Sequence, residues 1–276
     1  MNSGLPSFLR LRLLEFLIQS AQQLQIRPIA KYSALSLFFD RFCPSLSRCR
    51  PRNDMESWLL HPLRESNLQL FSLVSIWISS KIHDSQPLSV KSLKLLGDKM
   101  IKEQHFTTRD FLEAVSYLST IGSTKCKLYL FIIAIDLDIL QEVLLMQVLG
   151  FEIGTANIAF KFLEELFVEF EGVARIGQLV NFEASMDIMD LLYEKEETLT
   201  LYRSPWNLAA SILVATYVVT VPKQKREFPV LSWVKFVTSC KEEDVLNIVR
   251  DILKHIFEPS FSVEELQATF GTYPLE

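Results

Sequence analysis

Glycine is scarce in this chain, 8 residues among 276, which argues against the turn-rich connections of β structure. The four cysteines, Cys43, Cys49, Cys126 and Cys240, form no C-x-x-C pair. Zinc-ligand spacing and a disulfide framework are therefore both absent, and reduced thiols in the nucleus and/or cytoplasm are expected. There is no excess of positive charge: the formal net charge is −5, which argues against nucleic acid as a partner. No apolar run is long enough to cross a membrane. The strongest, Leu68 to Lys81, has about 14 residues where a span takes about 20. The amino terminus is no signal peptide, because Arg10, Arg12 and Glu15 interrupt its apolar stretch. Catalytic signatures are missing too: no phosphate-binding GxxxxGK[ST] loop, no dinucleotide GxGxxG after a strand, no HExxH and no GxSxG. His61, His83, His105 and His255 do not cluster. No enzyme activity, cofactor, metal, small-molecule ligand, nucleic-acid partner or membrane partner is expected.

What is abundant is large apolar side chains: 49% of the residues are hydrophobic and 20 are phenylalanine. The stretch LQLFSLVSIWISSK, Leu68 to Lys81, has almost no polar side, only small serines. A helix apolar all round and too short for a membrane must be jacketed by other helices. Ser204 to Val219 has the same character. Two such buried helices imply two similar all-α units.

In order, the pattern predicts helices over 10–24, 28–43 and 68–81, then 90–103 after a Ser89 cap. Another starts behind a Thr107–Asp110 capping box. After Gly154 helices are predicted near 156–171, 183–194, 204–219, 229–238 and 242–256. Ser204-Pro205 supplies a side-chain cap followed by a proline at the first helical position. The basic run Lys223-Gln224-Lys225-Arg226 reads as a solvated loop.

Five helices, a hinge and five more helices resemble the tandem fold of the cyclins, and particular residues carry the likeness. Arg10 lies in Arg-Leu-Arg-Leu-Leu-Glu-Phe-Leu, and Asp40 in Phe-Phe-Asp-Arg-Phe. Lys81 follows Leu70 by eleven residues. Glu142 opens Glu-Val-Leu-Leu-Met-Gln-Val-Leu-Gly-Phe, and Tyr202-Arg203-Ser204-Pro205 precedes an alanine-rich helix. Departures from the mitotic types make it most similar to a plant J-type cyclin.

The resemblance implies two tandem five-helix cyclin-box domains, 1–153 and 154–276. It implies a non-catalytic regulatory subunit that binds and activates a cyclin-dependent serine/threonine kinase in cell-cycle control. Arg10 and Asp40 are then structural partners between the first two helices, and Leu70 is core. Lys81 and Glu142 are the kinase-binding pair: the lysine donates to partner backbone carbonyls and the glutamate accepts from backbone N–H groups. The family's substrate-docking patch falls on Leu9, Arg12, Leu13 and Phe16. Arg12 puts a charge inside it, so docking of Arg-x-Leu substrates is not expected. The chain opens close to the box, so control by cell-cycle proteolysis is not expected either.

The segment 115–141 has no place in the family pattern. With it removed, Leu112, Val143 and Met146 fall at helical spacing on one face. Two readings stand: a retained intron translated in frame, since valine codons begin GT and one glutamine codon is CAG, or a genuine helix-forming insertion. The segment interrupts the helix that carries Glu142. The alternatives to kinase activation are therefore a kinase-independent helical scaffold and a splice-variant cyclin unable to bind kinase.

Overall fold

Every regular element among the described residues is helical. The computed structural model describes residues 5–46, 64–120, 158–173, 175–194 and 204–257. The chain divides into two compact units, Met1–Ile158 and Ala159–Glu276.

In the first unit, α1 (Ser7–Gln23), α2 (Pro28–Leu35), a π-helical stretch (Ser36–Phe42) and a short α3 (Cys43–Leu46) precede α4 (Glu65–His83). Then follow α5 (Val90–Met100) and α6 (Thr108–Thr120). Helix α4 is the centre, packed by α1, α2, α5 and α6. Its Leu68, Leu70, Phe71, Leu73, Val74 and Ile76 are all fully buried. Burying each such side chain contributes roughly 1.5–3 kcal/mol, which is why the apolar run becomes the axis of the bundle. The serines in it do not break the helix. Ser72 Oγ donates to the Leu68 carbonyl at 3.0 Å and Ser75 Oγ to that of Phe71 at 2.9 Å, satisfying these two buried hydroxyls one turn back. Glu65 in the first turn and Lys81 and His83 in the last match the helix dipole.

The caps expected at Ser89 and Thr107 are present. Ser89 Oγ accepts from Ser92 N–H at 3.1 Å. Asp110 Oδ2 accepts from the Thr107 N–H at 2.6 Å, while Thr107 Oγ1 accepts from Asp110 N–H at 3.4 Å. The second predicted helix is not one regular α-helix. Ser36–Phe42 is wound as a π-helix, into which Leu37, Phe38, Phe39 and Phe42 bury their bulk. Phe38 meets Phe39 edge-on at 4.9 Å between ring centres, and Phe42 packs against Phe71 of α4 at 4.5 Å.

The second unit holds α7 (Ala159–Val173), a 3₁₀ turn (Arg175–Leu179), α8 (Phe182–Glu194) and α9 (Pro205–Thr220). A 3₁₀ turn (Lys223–Lys225), α10 (Val230–Thr238) and α11 (Glu242–Phe257) complete it. Here α9 is central, packed by α7, α8, α10 and α11. Leu208 through Val214 are buried without interruption. Its start corrects one expectation: Ser204 provides no side-chain cap, and only its carbonyl takes part, accepting the ordinary first helical bond from Leu208 N–H at 3.0 Å. With Pro205 at the first helical position, one free N–H is already removed. An unforeseen cap sits at α8, where Asn181 Oδ1 accepts from Glu183 N–H at 2.8 Å.

At the carboxyl end of α9 the basic run is partly used by the fold. The Arg226 guanidinium donates to the carbonyls of Val218 and Val221, while Lys223 and Lys225 stay exposed. Gly177 lies where the first 3₁₀ turn meets α7. A Cβ there would come within 2.6 Å of the Phe170 carbonyl oxygen, so a side chain does not fit.

Candidate functional site

The resemblance points to the carboxyl end of α4, where Lys81 stands. Lys81 is half-buried, and its ammonium lies 5.2 Å from the ring centre of Trp77, one turn earlier on the same helix. That is within the range at which an aromatic face attracts a cation. The indole is itself held. Trp77 Nε1 donates to the Leu88 carbonyl at 2.9 Å, and the Leu88 N–H donates to Ser80 Oγ at 3.0 Å. The backbone of one residue in the loop after α4 is thus fastened to the helix through both its polar groups. Arg27 Nη1 closes the helix from another side, donating to the His83 carbonyl at 3.0 Å. A cation at a helix end interacts favourably with the last carbonyls. Among the described residues no carboxylate pairs with Lys81.

Glu142 lies outside the described residues, as does most of 115–141. The backbone of 115–120 is described and continues α6 as helix. Leu70 is fully buried in α4.

Arg10 and Asp40 lie close together beneath α1. Arg10 is only 4% exposed and its guanidinium sits 4.6 Å from the ring centre of Phe39. Burial pushes the Asp40 carboxyl up to about 6, against the opposing pull of a Ser36 hydrogen bond and of the Arg10 and Arg41 charges. The neighbouring Cys43 thiol is pushed up to about 12, chiefly by burial. A thiol raised that far is unreactive at neutral pH.

The residues aligned with the docking patch do not form an apolar surface. Leu13 and Phe16 are buried, Leu9 is half-buried, and Arg12 is exposed. Arg12 Nη2 is 3.0 Å from Glu65 Oε1 at the start of α4. The outward apolar side chains of α1 are Phe8 and Leu11, at other positions on the helix.

Among the described residues no group of three potential metal ligands occurs, and no helix is long and apolar enough to cross a membrane. Sequence reasoning missed Trp77, Ser80 and Arg27. The i, i+4 spacing of Trp77 and Lys81 was a usable signal. The contacts through Leu88 and to His83 were not, since they join segments distant along the chain.

Comparison with known proteins bears on the family and the fold. The family model "Cyclin, N-terminal domain" matches residues 2–117. The chain is 53% identical over 248 residues to Cyclin-J18 of Arabidopsis thaliana, covering 90% of this chain and 94% of that protein. It is 46% identical over 256 residues to Cyclin-J18-like of Oryza sativa subsp. japonica, covering 91% and 88%. In three dimensions it is similar to the crystal structure of a viral cyclin from herpesvirus saimiri, with a TM-score of 0.56 at 15% identity over 92% of this chain and 87% of that one. The helical architecture is that of a cyclin box, the role of the family is regulatory, and the chain belongs to the cyclin family, in its plant J-type branch.

Proposed function

We propose that this chain is the regulatory subunit of a cyclin-dependent serine/threonine kinase, acting by position rather than by chemistry. The observation that carries the reading is Lys81: a cation with no carboxylate partner among the described residues, held at the end of a buried helix in a cyclin-family chain. Its ammonium donates to backbone carbonyls of the kinase, and Glu142 accepts from backbone N–H groups beside them. Charge-assisted bonds of both senses read a partner backbone without depending on its side chains. Phosphoryl transfer requires the kinase's own Lys–Glu pair and its metal site to be set together. Packing of the cyclin against the helix that carries that glutamate favours the set arrangement, and the binding energy shifts the equilibrium toward it. The complex acts in the nucleus and/or cytoplasm in cell-cycle control. Substrates do not dock through Leu9, Arg12, Leu13 and Phe16, a reading supported by the burial of two of these and the Arg12–Glu65 ion pair.

A second reading is favoured by one observation: the family match stops at residue 117, just inside the 115–141 segment. In a form carrying that segment, the family's pattern leading to Glu142 is broken and kinase binding is weakened or lost. The chain then acts as a helical scaffold or as an inactive splice form.

The test is capture of purified cyclin-dependent kinase by the full chain, by the chain lacking 115–141, and by the Lys81→Ala, Glu142→Ala and double variants of each. Loss of capture in both single variants supports the pair. Capture by the double variant equal to that of the unaltered chain removes it.

A further inference from the structure

The kinase-binding lysine of the proposed site is not a loose surface side chain. It rests on one aromatic ring, and two hydrogen bonds hold that ring and the loop beside it. Trp77 is 4% exposed, so its indole is a wall of the core with one face turned toward Lys81. The Nε1–H of that indole is engaged by the Leu88 carbonyl, which stops the ring from turning about its last bond. Leu88 is in turn held by Ser80. Lys81 reaches the ring across one helical turn, with its ammonium 5.2 Å from the ring centre.

We infer that Trp77 is a positioning residue for the partner-binding lysine, acting as a fixed indole platform that holds the Lys81 ammonium in place before the kinase backbone arrives. The inference rests on the proposed kinase-binding role of Lys81 and adds the device by which that role is performed.

A lysine side chain has four flexible carbons and loses rotamer freedom when fixed. If that loss falls at the moment of association, it subtracts from affinity, whereas an anchor already present in the free protein removes much of it. An indole suits this task better than a carboxylate. It attracts the cation through its π face and offers no acceptor strong enough to compete with the incoming carbonyls. The ammonium keeps three N–H donors for the partner while one side rests on the ring. A carboxylate in place of the indole would occupy those donors and would have to be displaced. Trp77 is the aromatic that gives the strongest attraction of this kind, and its N–H lets the fold lock the ring plane. Phenylalanine at this position would give a weaker and freer platform.

The experiment has two arms. The first needs no kinase. The lysines are reductively dimethylated with carbon-13 and the Lys81 resonance is assigned through its loss in Lys81→Arg. Its methyl signal is expected upfield of the other lysines, from the ring current of the indole, and at the ordinary position in Trp77→Leu. An ordinary position in the unaltered protein overturns the inference whatever any variant does. The second arm measures the Kd for purified cyclin-dependent kinase in Trp77→Leu, Trp77→Phe, Lys81→Met and the Trp77→Leu, Lys81→Met double variant, each checked by thermal unfolding. Trp77→Leu is expected to weaken binding about three- to tenfold, with Trp77→Phe between it and the unaltered chain. Trp77→Leu is expected to add little in the Lys81→Met background. Equal effects of Trp77→Leu in both backgrounds overturn the inference, because the indole then acts on the fold and not through the lysine. Tighter binding in Trp77→Leu also overturns it, by showing a latch in place of a platform. Unchanged binding in Lys81→Met removes instead the underlying reading of Lys81, while the resonance arm still reports whether the platform exists. If Trp77→Leu fails to fold, Trp77→Phe and the resonance of the unaltered protein decide.

Discussion

Arg10 lies buried with its guanidinium 4.6 Å from the centre of the Phe39 ring, one residue before Asp40, whose carboxyl it helps to keep charged. This contact ties α1 to the π-helical stretch through a cation, an aromatic face and a carboxylate at once.

Removing the cation is expected to destabilise the protein strongly. Arg10→Ala leaves Asp40, in a shielded place, with only the Ser36 hydrogen bond and the Arg41 charge in its favour. The loss of a buried partner typically costs about 3–5 kcal/mol. Urea unfolding of the variant measures it, and a loss below 1 kcal/mol shows that the group behaves as a surface charge.

Asp40 is expected to make the protein less stable as pH rises. Its carboxyl is raised in the folded state from 3.8 to about 6. Below 3.8 both folded and unfolded forms hold the proton. Between 3.8 and 6 the unfolded chain releases it first, so stability falls through this window. Above it the cost levels off at about 3 kcal/mol at most. Asp40→Asn removes this contribution, so stability of the unaltered protein minus that of the variant should decline between pH 4 and pH 7. A flat or rising difference contradicts the assignment.

Arg226 is expected to matter for folding, unlike the rest of the basic run. Its guanidinium closes the last turn of α9 on the Val218 and Val221 carbonyls. Arg226→Gln should lower stability by about 1–3 kcal/mol, as loss of hydrogen bonds from a charged donor does. Alanine at both Lys223 and Lys225, which are exposed, should leave the unfolding midpoint nearly unchanged.

Gly177 should tolerate no side chain. Gly177→Ala puts a methyl within 2.6 Å of a backbone oxygen at the end of α7, so the 3₁₀ turn must move away. A loss of about 1–3 kcal/mol is expected in thermal or urea unfolding, typical of overpacking against atoms that cannot rotate aside.

Much of this was legible in the chain because it rests on local pattern. Leu68 to Ile76 has no polar side, so it had to become a central helix, and the structure gives it four neighbours. Ser89 and Thr107 announce helix starts through acceptors that act within three residues. Arg10, Asp40, Leu70 and Lys81 were recognisable from motif and spacing. The π-helical winding at Ser36–Phe42 was not, because it follows from packing Phe38, Phe39 and Phe42 against the core and not from any residue's own preference. Ser204 misled for a related reason: a hydroxyl suited to capping makes no cap bond here, and Pro205 already removes one of the free N–H groups.

The sequence by itself determined that this is an all-helical chain with two buried helical axes, and which residues carry the likeness to the cyclins, because apolar period, capping and motif spacing act along the chain. Only the tertiary structure decided what surrounds those residues. Arg12 finds Glu65 across two helices, Arg27 finds the His83 carbonyl, and the Trp77 ring is locked by Leu88 beneath Lys81. Such contacts join segments that local pattern cannot place side by side, since their geometry is set by how whole helices pack.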